Sequence, residues 1–360
     1  MLRTWDLTGQ NTLLRRTGTA GAGRAFAHAD LSPDGRRVAY RWLVGEEGWI
    51  RFVDTATGAS TRPQRLPVYE GEESPGAWSA DGRRYASFAG CQAVCKGGAV
   101  SELDTTTGRI IREQGIIADE IYSLAYINRD TSLVAGDSAG TLTLIDAETL
   151  RRSGGPYDLP AGCCLAVSQD GRSALLFQQT ANGASEHWRV ADVTTGQVRT
   201  EGDVDFRARD ADFSPDGRTV AITGQSGELV TIELATRTPK SSSTGLGTEG
   251  LHVRYSDDGS RLVTGALDGG VSLWDAKTLQ LLGTVHAIVA GEPVVAAVNF
   301  FEGTNDVMIA SYDGQIFKWD TNQNRAVELA CQMAGRNLTT EEWSKFLPTQ
   351  PFRKVCPQFP

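Results

Sequence analysis

Ser214-Pro215-Asp216-Gly217-Arg218 decides the fold. Its chemistry is that of a tight turn: proline presets φ, the aspartate side chain bonds nearby backbone, and glycine accepts positive φ. Alternating strands flank these turns, as in Leu251-His252-Val253-Arg254-Tyr255 before one and Arg218-Thr219-Val220-Ala221-Ile222 after another. The unit is therefore a β-hairpin. The turn recurs as Ser32-Pro33-Asp34-Gly35-Arg36, Ser79-Ala80-Asp81-Gly82-Arg83, Ser168-Gln169-Asp170-Gly171-Arg172 and Ser256-Asp257-Asp258-Gly259-Ser260. Asn128-Arg129-Asp130 and Phe301-Glu302-Gly303 stand in the two remaining slots. A spacing of roughly 45 residues marks a repeat architecture whose units share one continuous core.

A second pattern ends another strand in most repeats: Arg51-Phe52-Val53-Asp54, Glu102-Leu103-Asp104, Leu144-Ile145-Asp146, Val190-Ala191-Asp192, Leu273-Trp274-Asp275 and Lys318-Trp319-Asp320. Many copies run on as Asp-x-x-Thr-Gly, so the carboxylate is placed to accept backbone N–H groups of the next turn. The copy near Leu234 lacks the aspartate.

Together these residues resemble the WD40 repeat family over nearly the whole chain, to about residue 322. The resemblance implies an all-β, seven-bladed β-propeller. Its blades are four-stranded and antiparallel, with strands a to d running from axis to rim. The Ser-x-Asp-Gly turn joins a to b, and the Asp ends c. Inner hairpins fall near residues 26, 75, 121, 163, 210, 251 and 295, but there are eight c endings because Trp5-Asp6 precedes the first a strand. The last blade lacks a d strand, and Asn11-Thr12-Leu13-Leu14-Arg15-Arg16 is expected to supply it. Such closure removes exposed sheet edges. The family's Gly-His pair before the inner strand is largely missing, so its hydrogen-bonded tetrad is expected to be incomplete in most blades.

Residues 1–10 then read as the remnant strand of a preceding repeat, or as an N-terminal extension. Residues 11–322 are the propeller, and 323–360 a helical tail. In the tail, Arg325 to Ala334 has helical character and Gly335 stops it. Thr339 and Glu342 form a capping-box pair, with Trp343, Phe346 and Leu347 on the apolar face of a second short helix. The tail resembles the C-terminal segment of bacterial WD40 proteins linked to STAND or NACHT-type signalling ATPases or transcription-regulator domains. The matching pieces are Leu329-Ala330-Cys331, Gly335-Arg336-Asn337-Leu338-Thr339, Glu342-Trp343 and Pro351-Phe352-Arg353. This resemblance implies a bacterial signalling or regulatory protein, with a parent effector domain N-terminal to this chain. Cys331 and Cys356 bracket the tail, either as a disulfide or as two small buried apolar side chains.

The chain carries 44 acidic against 35 basic residues, a net charge of −9. No basic stripe suits phosphate contacts, so nucleic acid is not an expected partner. An anionic membrane is disfavoured likewise, and no apolar run approaches the ~20 residues that span a bilayer. A cytoplasmic location is expected. Neither cofactor nor metal is expected: His28, His187, His252 and His286 lie in different repeats, and Cys91-x3-Cys95 has no partner pair for zinc. No nucleophile elbow, P-loop or zinc-protease motif occurs, and the chain reads as no enzyme. Asp30, Asp210, Asp212 and Asn299 lie on or beside inner strands. They are the residues an axial-channel enzyme or small-molecule binder would use.

Binding concentrates on variable loops over a rigid scaffold. The d–a and b–c connections read as long and irregular and share one rim, called the top in this family. The b–c loop of the first blade carries Trp42, Glu46, Glu47 and Trp49, and the following d–a loop carries Tyr69, Glu70, Glu72 and Glu73. Together they predict an aromatic, acidic patch for a protein or peptide partner, a basic one by charge. Phe206 and Arg207, with Asp119, Glu120 and Arg209, are weaker candidates on the same rim.

Overall fold

The computed structural model describes residues 13–20, 28–45, 47–66, 76–90, 98–116, 121–137, 141–159, 165–179, 185–242, 245–286 and 295–359. Its 28 strands form seven separate four-stranded antiparallel sheets. Strand β1 is Leu14–Thr19. Blade 1 holds β2 (His28–Leu31), β3 (Arg37–Val44), β4 (Glu47–Asp54) and β5 (Gln64–Arg65). Blade 2 holds β6 (Gly76–Trp78), β7 (Arg84–Gly90), β8 (Gly98–Asp104) and β9 (Ile110–Ile116). Blade 3 holds β10 (Ile121–Ile127), β11 (Ser132–Asp137), β12 (Thr141–Asp146) and β13 (Arg152–Asp158). Blade 4 holds β14 (Leu165–Val167), β15 (Ser173–Gln179), β16 (Glu186–Asp192) and β17 (Val198–Val204). Blade 5 holds β18 (Ala208–Phe213), β19 (Thr219–Gly224), β20 (Leu229–Glu233) and β21 (Thr238–Ser241). Blade 6 holds β22 (Gly250–Tyr255), β23 (Arg261–Ala266), β24 (Gly270–Asp275) and β25 (Leu281–His286). Blade 7 holds β26 (Val295–Phe300), β27 (Val307–Ser311) and β28 (Gln315–Trp319), with β1 as its fourth strand.

The seven-bladed propeller expected from the repeat is the fold. Its closure differs in detail. The strand expected at Asn11–Arg16 runs Leu14–Thr19, and residues 11 and 12 lie outside the described residues. Leu14 lies opposite Trp319, and Asp320 N–H donates to the Leu13 carbonyl. Pairing continues beyond Arg16 through a bulge at Gly18, where a Cβ would lie 3.1 Å from the Gly58 Cα. A side chain there would crowd the blade 1 turn, and the glycine eases this close approach while the ladder runs on to Thr19. Trp5-Asp6 and the rest of residues 1–12 lie outside the described residues.

The turn chemistry repeats from blade to blade. The Ser32 hydroxyl donates to Asp34 at 2.5 Å and accepts from Arg37 N–H at 2.9 Å. Blades 2, 4, 5 and 6 build the same turn with Ser79–Asp81, Ser168–Asp170, Ser214–Asp216 and Ser256–Asp258. Gly171 shows why the glycine is needed: its φ is +68°, and a Cβ there would sit 2.5 Å from Asn128 N. The degenerate turn of blade 3 instead places Asn128, Arg129 and Asp130 all at positive φ without a glycine. At the other motif, Asp54, Asp104, Asp146, Asp192 and Asp275 each accept both the backbone N–H and the hydroxyl of the threonine three residues on. The Thr149 bonds hold the Asp146 carboxyl below its ordinary value.

Seven buried apolar clusters fill the seven interfaces between adjacent blades, one each. Middle strands are covered on both faces, and so β3, β19, β23 and β27 are nearly continuous apolar runs rather than strict alternations. The cluster joining blades 7 and 1 packs Ile316, Met308 and Ala297 against Val38, Tyr40 and Trp42. Of the family tetrad, blade 6 keeps the Trp274 Nε1 bond to the Thr264 hydroxyl at 2.9 Å.

Beyond Asp320 come α1 (Gln323–Ala334) and α2 (Thr340–Phe346). Asn322 caps the first, and Gly335, at φ 65°, ends it. Thr339 and Glu342 form a reciprocal capping box on the second. A Cys331–Cys356 disulfide ties the tail together. Among the described residues no helix is long and apolar enough to cross a membrane.

Candidate functional site

Four inner strands carry a polar side chain at one equivalent place, fixed by ladder register. These are Asp30 opposite Ala39, Asp212 opposite Ala221, Arg254 opposite Val263 and Asn299 opposite Met308. Blades 2, 3 and 4 place Ala77, Ala125 and Ala166 there. The inner ring is thus polar across blades 5, 6, 7 and 1 and alanine-lined across the other three.

Each polar member reaches the adjoining blade. Asp212 accepts Tyr255 N–H at 2.8 Å, and Asn299 donates to the Ser32 carbonyl at 3.0 Å. Asp30 accepts from the Tyr85 hydroxyl and from Arg41 Nη2 at 3.0 Å, while Trp78 Nε1 donates to its carbonyl. Arg41 is 2% exposed and the Asp30 side chain 34%, so the pair is buried on its arginine side. Asp210, one turn of the pleat away, accepts from Arg254 Nη1 at 2.5 Å and Val253 N–H at 3.1 Å.

Protonation follows burial. Desolvation pushes the Asp212 carboxyl up to about 6, although Arg254 opposes it. Desolvation, aided by the Arg41 charge, lowers His28 to about 4. Burial lowers His252 too, with Asp210 3.8 Å away opposing. Both imidazoles are therefore neutral near pH 7. The Nε2 atoms of His28 and His252 are buried without a hydrogen-bond partner. Among the described residues no three His, Cys, Asp or Glu side chains are grouped to hold a metal ion.

The loop candidates are placed differently from the sequence reading. Trp42, Glu47 and Trp49 are not on a long b–c loop: Trp42 lies on β3 and the other two on β4, directly paired as Trp42 to Trp49 and Val44 to Glu47. Only residues 45 and 46 separate the strands, with Gly45 at φ 64°, because two aromatic residues in register extend the hairpin. Trp42 is 4% exposed, packed between blades 7 and 1 with the Arg51 guanidinium over its ring. Trp49 is half-buried against the same cluster, and Glu47 pairs with Arg65 at 2.9 Å. Glu46, Tyr69, Glu70, Glu72, Glu73, Asp119 and Glu120 lie outside the described residues, as do Cys91, Cys95, Cys163 and Cys164.

Phe206 and Arg207 do sit in a d–a connection, between β17 and β18. Phe206 packs on the blade 4–5 cluster and Arg207 is exposed. Buried Glu186 accepts Ala208 N–H beside them, and Arg209 pairs with Glu249. The b–c connections of blades 5, 6 and 7 are residues 225–228, 267–269 and 312–314, shorter than expected. His187 lies on β16 against Asp203 and Glu201, and His286 ends β25.

Sequence reasoning missed two charge networks. One joins buried Arg41 to Asp30. The other is Glu102, fully buried on β8, which meets Arg84 at 2.9 Å, Arg112, and the Tyr126 hydroxyl of blade 3 at 2.7 Å. A charged residue within the apolar run of a c strand was the available signal.

The fold and this inner ring define a closed seven-bladed β-propeller. Within it, residues 248–275 match the WD domain, G-beta repeat family. The chain is 32% identical over 80 residues to the U3 snoRNP-associated protein-like EMB2271 of Arabidopsis thaliana, covering 22% of this chain and 16% of that protein. It is 35% identical over 75 residues to WD repeat-containing protein 1 of Xenopus tropicalis, covering 21% and 12%. The match thus spans under a fifth of either relative. Among solved structures it is similar to a chain of Kuenenia stuttgartiensis Hydrazine Synthase, with a TM-score of 0.64 and 16% identity over 83% of this chain and 97% of that one. That likeness is one of fold.

Proposed function

We propose that this propeller is a non-catalytic protein-interaction or sensing module that binds through the rim carrying its d–a and b–c connections. One contrast carries the reading. The opposite rim repeats the same Ser–Asp and Asp–Thr turns, whose polar groups are engaged locally. On the d–a and b–c rim the short b–c turns of blades 5, 6 and 7 share a glycine at positive φ, but the residues of the d–a connections vary along the sequence, and the rim offers exposed Arg207 beside the Arg209–Glu249 pair. Variable surface on a rigid ring is what partner recognition uses. The matched WD repeat supports the same reading.

The partner is a protein or peptide. The acidic run around Tyr69, Glu70, Glu72 and Glu73 favours a basic one, and Glu46 and Glu47 add to it. The tail resemblance favours a bacterial signalling or regulatory protein with an effector domain N-terminal to this chain, working in the cytoplasm. Affinity capture from a lysate of the source cells, comparing the wild-type chain with an Arg207→Glu, Glu72→Lys double variant, tests this. Loss of wild-type partners from the variant supports the reading, and identical capture by both contradicts it.

The unpartnered Nε2 atoms of His28 and His252 favour a second reading, a small polar ligand in the axial ring. Such a ligand would shift the ring resonances of His28 and His252 and leave those of His187 and His286 unmoved.

A further inference from the structure

The tail builds its own small core. Leu329, Cys331, Trp343 and Cys356 are buried, yet none joins the seven interblade clusters. The Cys331–Cys356 disulfide closes this core. The Asn337 side chain bonds the Cys356 and Phe359 carbonyls and accepts from Val355 and Cys356 N–H. A bidentate Arg336–Glu342 pair, both bonds 2.7 Å, fixes the entry to α2. These contacts brace the tail from within.

Its outer surface is unusual. Phe346 is 64% exposed, Phe352 46%, Val355 42% and Leu347 39%. Trp343 brings the two segments together by stacking edge-on against Phe352 at 5.7 Å and donating to the Gln350 carbonyl. Lys345, Arg353 and Lys354 are exposed between these apolar residues, and none has an acidic partner among the described residues. Residues 323–360 hold five basic residues (Arg325, Arg336, Lys345, Arg353, Lys354) and three acidic ones (Glu328, Glu341, Glu342). The tail is therefore +2 in a chain of −9, which leaves −11 on the remainder.

We propose that Lys345–Leu347 and Phe352–Val355 form a second docking surface, for an acidic protein segment that also carries apolar side chains. It is distinct from the d–a and b–c rim, because the tail leaves the ring after the c strand of blade 7, at the opposite rim. Clustered exposed apolar residues mark interaction sites. Interleaved cations without a described acidic partner, Lys345 among them with its ammonium over the Phe346 ring, set the sign of the partner. The disulfide and side-chain braces pre-organise the surface, which reduces the ordering cost of binding. An anionic bilayer has the same charge but suits it less: three cations add about 1 kcal/mol each near such a surface, while the rest of the chain is repelled.

The test uses the full oxidised chain and three probes. These are a fluorescent peptide alternating Glu with Leu and Phe, its Lys-for-Glu counterpart, and phosphatidylserine vesicles. Binding of the acidic peptide is expected, weakened by salt and at least about tenfold by a Lys345→Glu, Arg353→Glu, Lys354→Glu variant. Phe346→Ser, at the most exposed position, is expected to weaken it severalfold. Unchanged near-ultraviolet dichroism confirms that each variant keeps its tail packing. Equal affinity of wild type and triple variant, equal affinity for the basic peptide, binding to the vesicles alone, or binding only to a second copy of the chain would each overturn the proposal.

Discussion

Leu14 stands opposite Trp319 in the outer ladder of blade 7, so residues from the two ends of the chain complete one sheet. The same register continues to Thr19 opposite Gln315. Among the described residues no other strand pairs β28 on that side, and an unpaired β28 would be an exposed edge.

Removal of residues 1–19 is therefore expected to lower the thermal midpoint and promote aggregation. Removal of residues 1–10 leaves Leu13, Leu14 and the whole ladder in place. Calorimetry on the two truncations checks this, with a clear loss expected for the longer one alone.

Trp42 is a packing residue of the blade 7–1 interface. Trp42→Ala should cost about 3–5 kcal/mol of stability, the usual range for deleting a buried aromatic. Chemical denaturation measures it. Any loss of partner binding in this variant should track the unfolded fraction, whereas Arg207→Glu should leave stability within about 0.5 kcal/mol of wild type.

Glu102 is fully buried among Arg84, Arg112 and Tyr126. Glu102→Ala leaves Arg84 without its carboxylate partner, and breaking such a buried pair costs about 3–5 kcal/mol. A variant replacing Glu102 and Arg84 together with apolar residues should recover part of that loss in a denaturant titration.

Two groups of the inner ring oppose each other in acid. His28 titrates at about 4 in the fold against 6.5 unfolded, so it contributes stability above pH 6.5 that is lost as pH falls towards 4. Asp212 titrates at about 6 in the fold against 3.8 unfolded, so its contribution is full below 3.8 and is lost as pH rises through 6. Asp212→Asn should then raise stability at pH 7 and steepen the loss between pH 6.5 and 4. His28→Gln should flatten that loss. Denaturant midpoints across pH 4–8 separate the two.

The repeat made the ring legible because its turn chemistry is local. Ser32, Asp34 and Gly35 solve one backbone problem within four residues, and the same solution recurs at Ser214–Gly217. Trp42 and Trp49 misled because exposed-looking aromatics beside glycine and glutamate read as loop, whereas their cross-strand pairing prolongs the hairpin. Of the ring of Asp30, Asp212, Arg254 and Asn299, all but Arg254 were legible as polar residues on inner strands. Arg41 and Tyr85 were not, since their contacts to Asp30 cross strands and blades and leave no periodicity in the sequence.

The interaction reading rests on which rim meets the partner. Hydrogen–deuterium exchange of the chain with and without its captured partner measures this directly. The account predicts new protection at residues 205–207, 225–228, 245–249 and 312–314, with the Ser–Asp turns at 32–36 and 214–218 unchanged. Protection confined to those turns, or to the inner strands around Asp30 and Arg254, would contradict it.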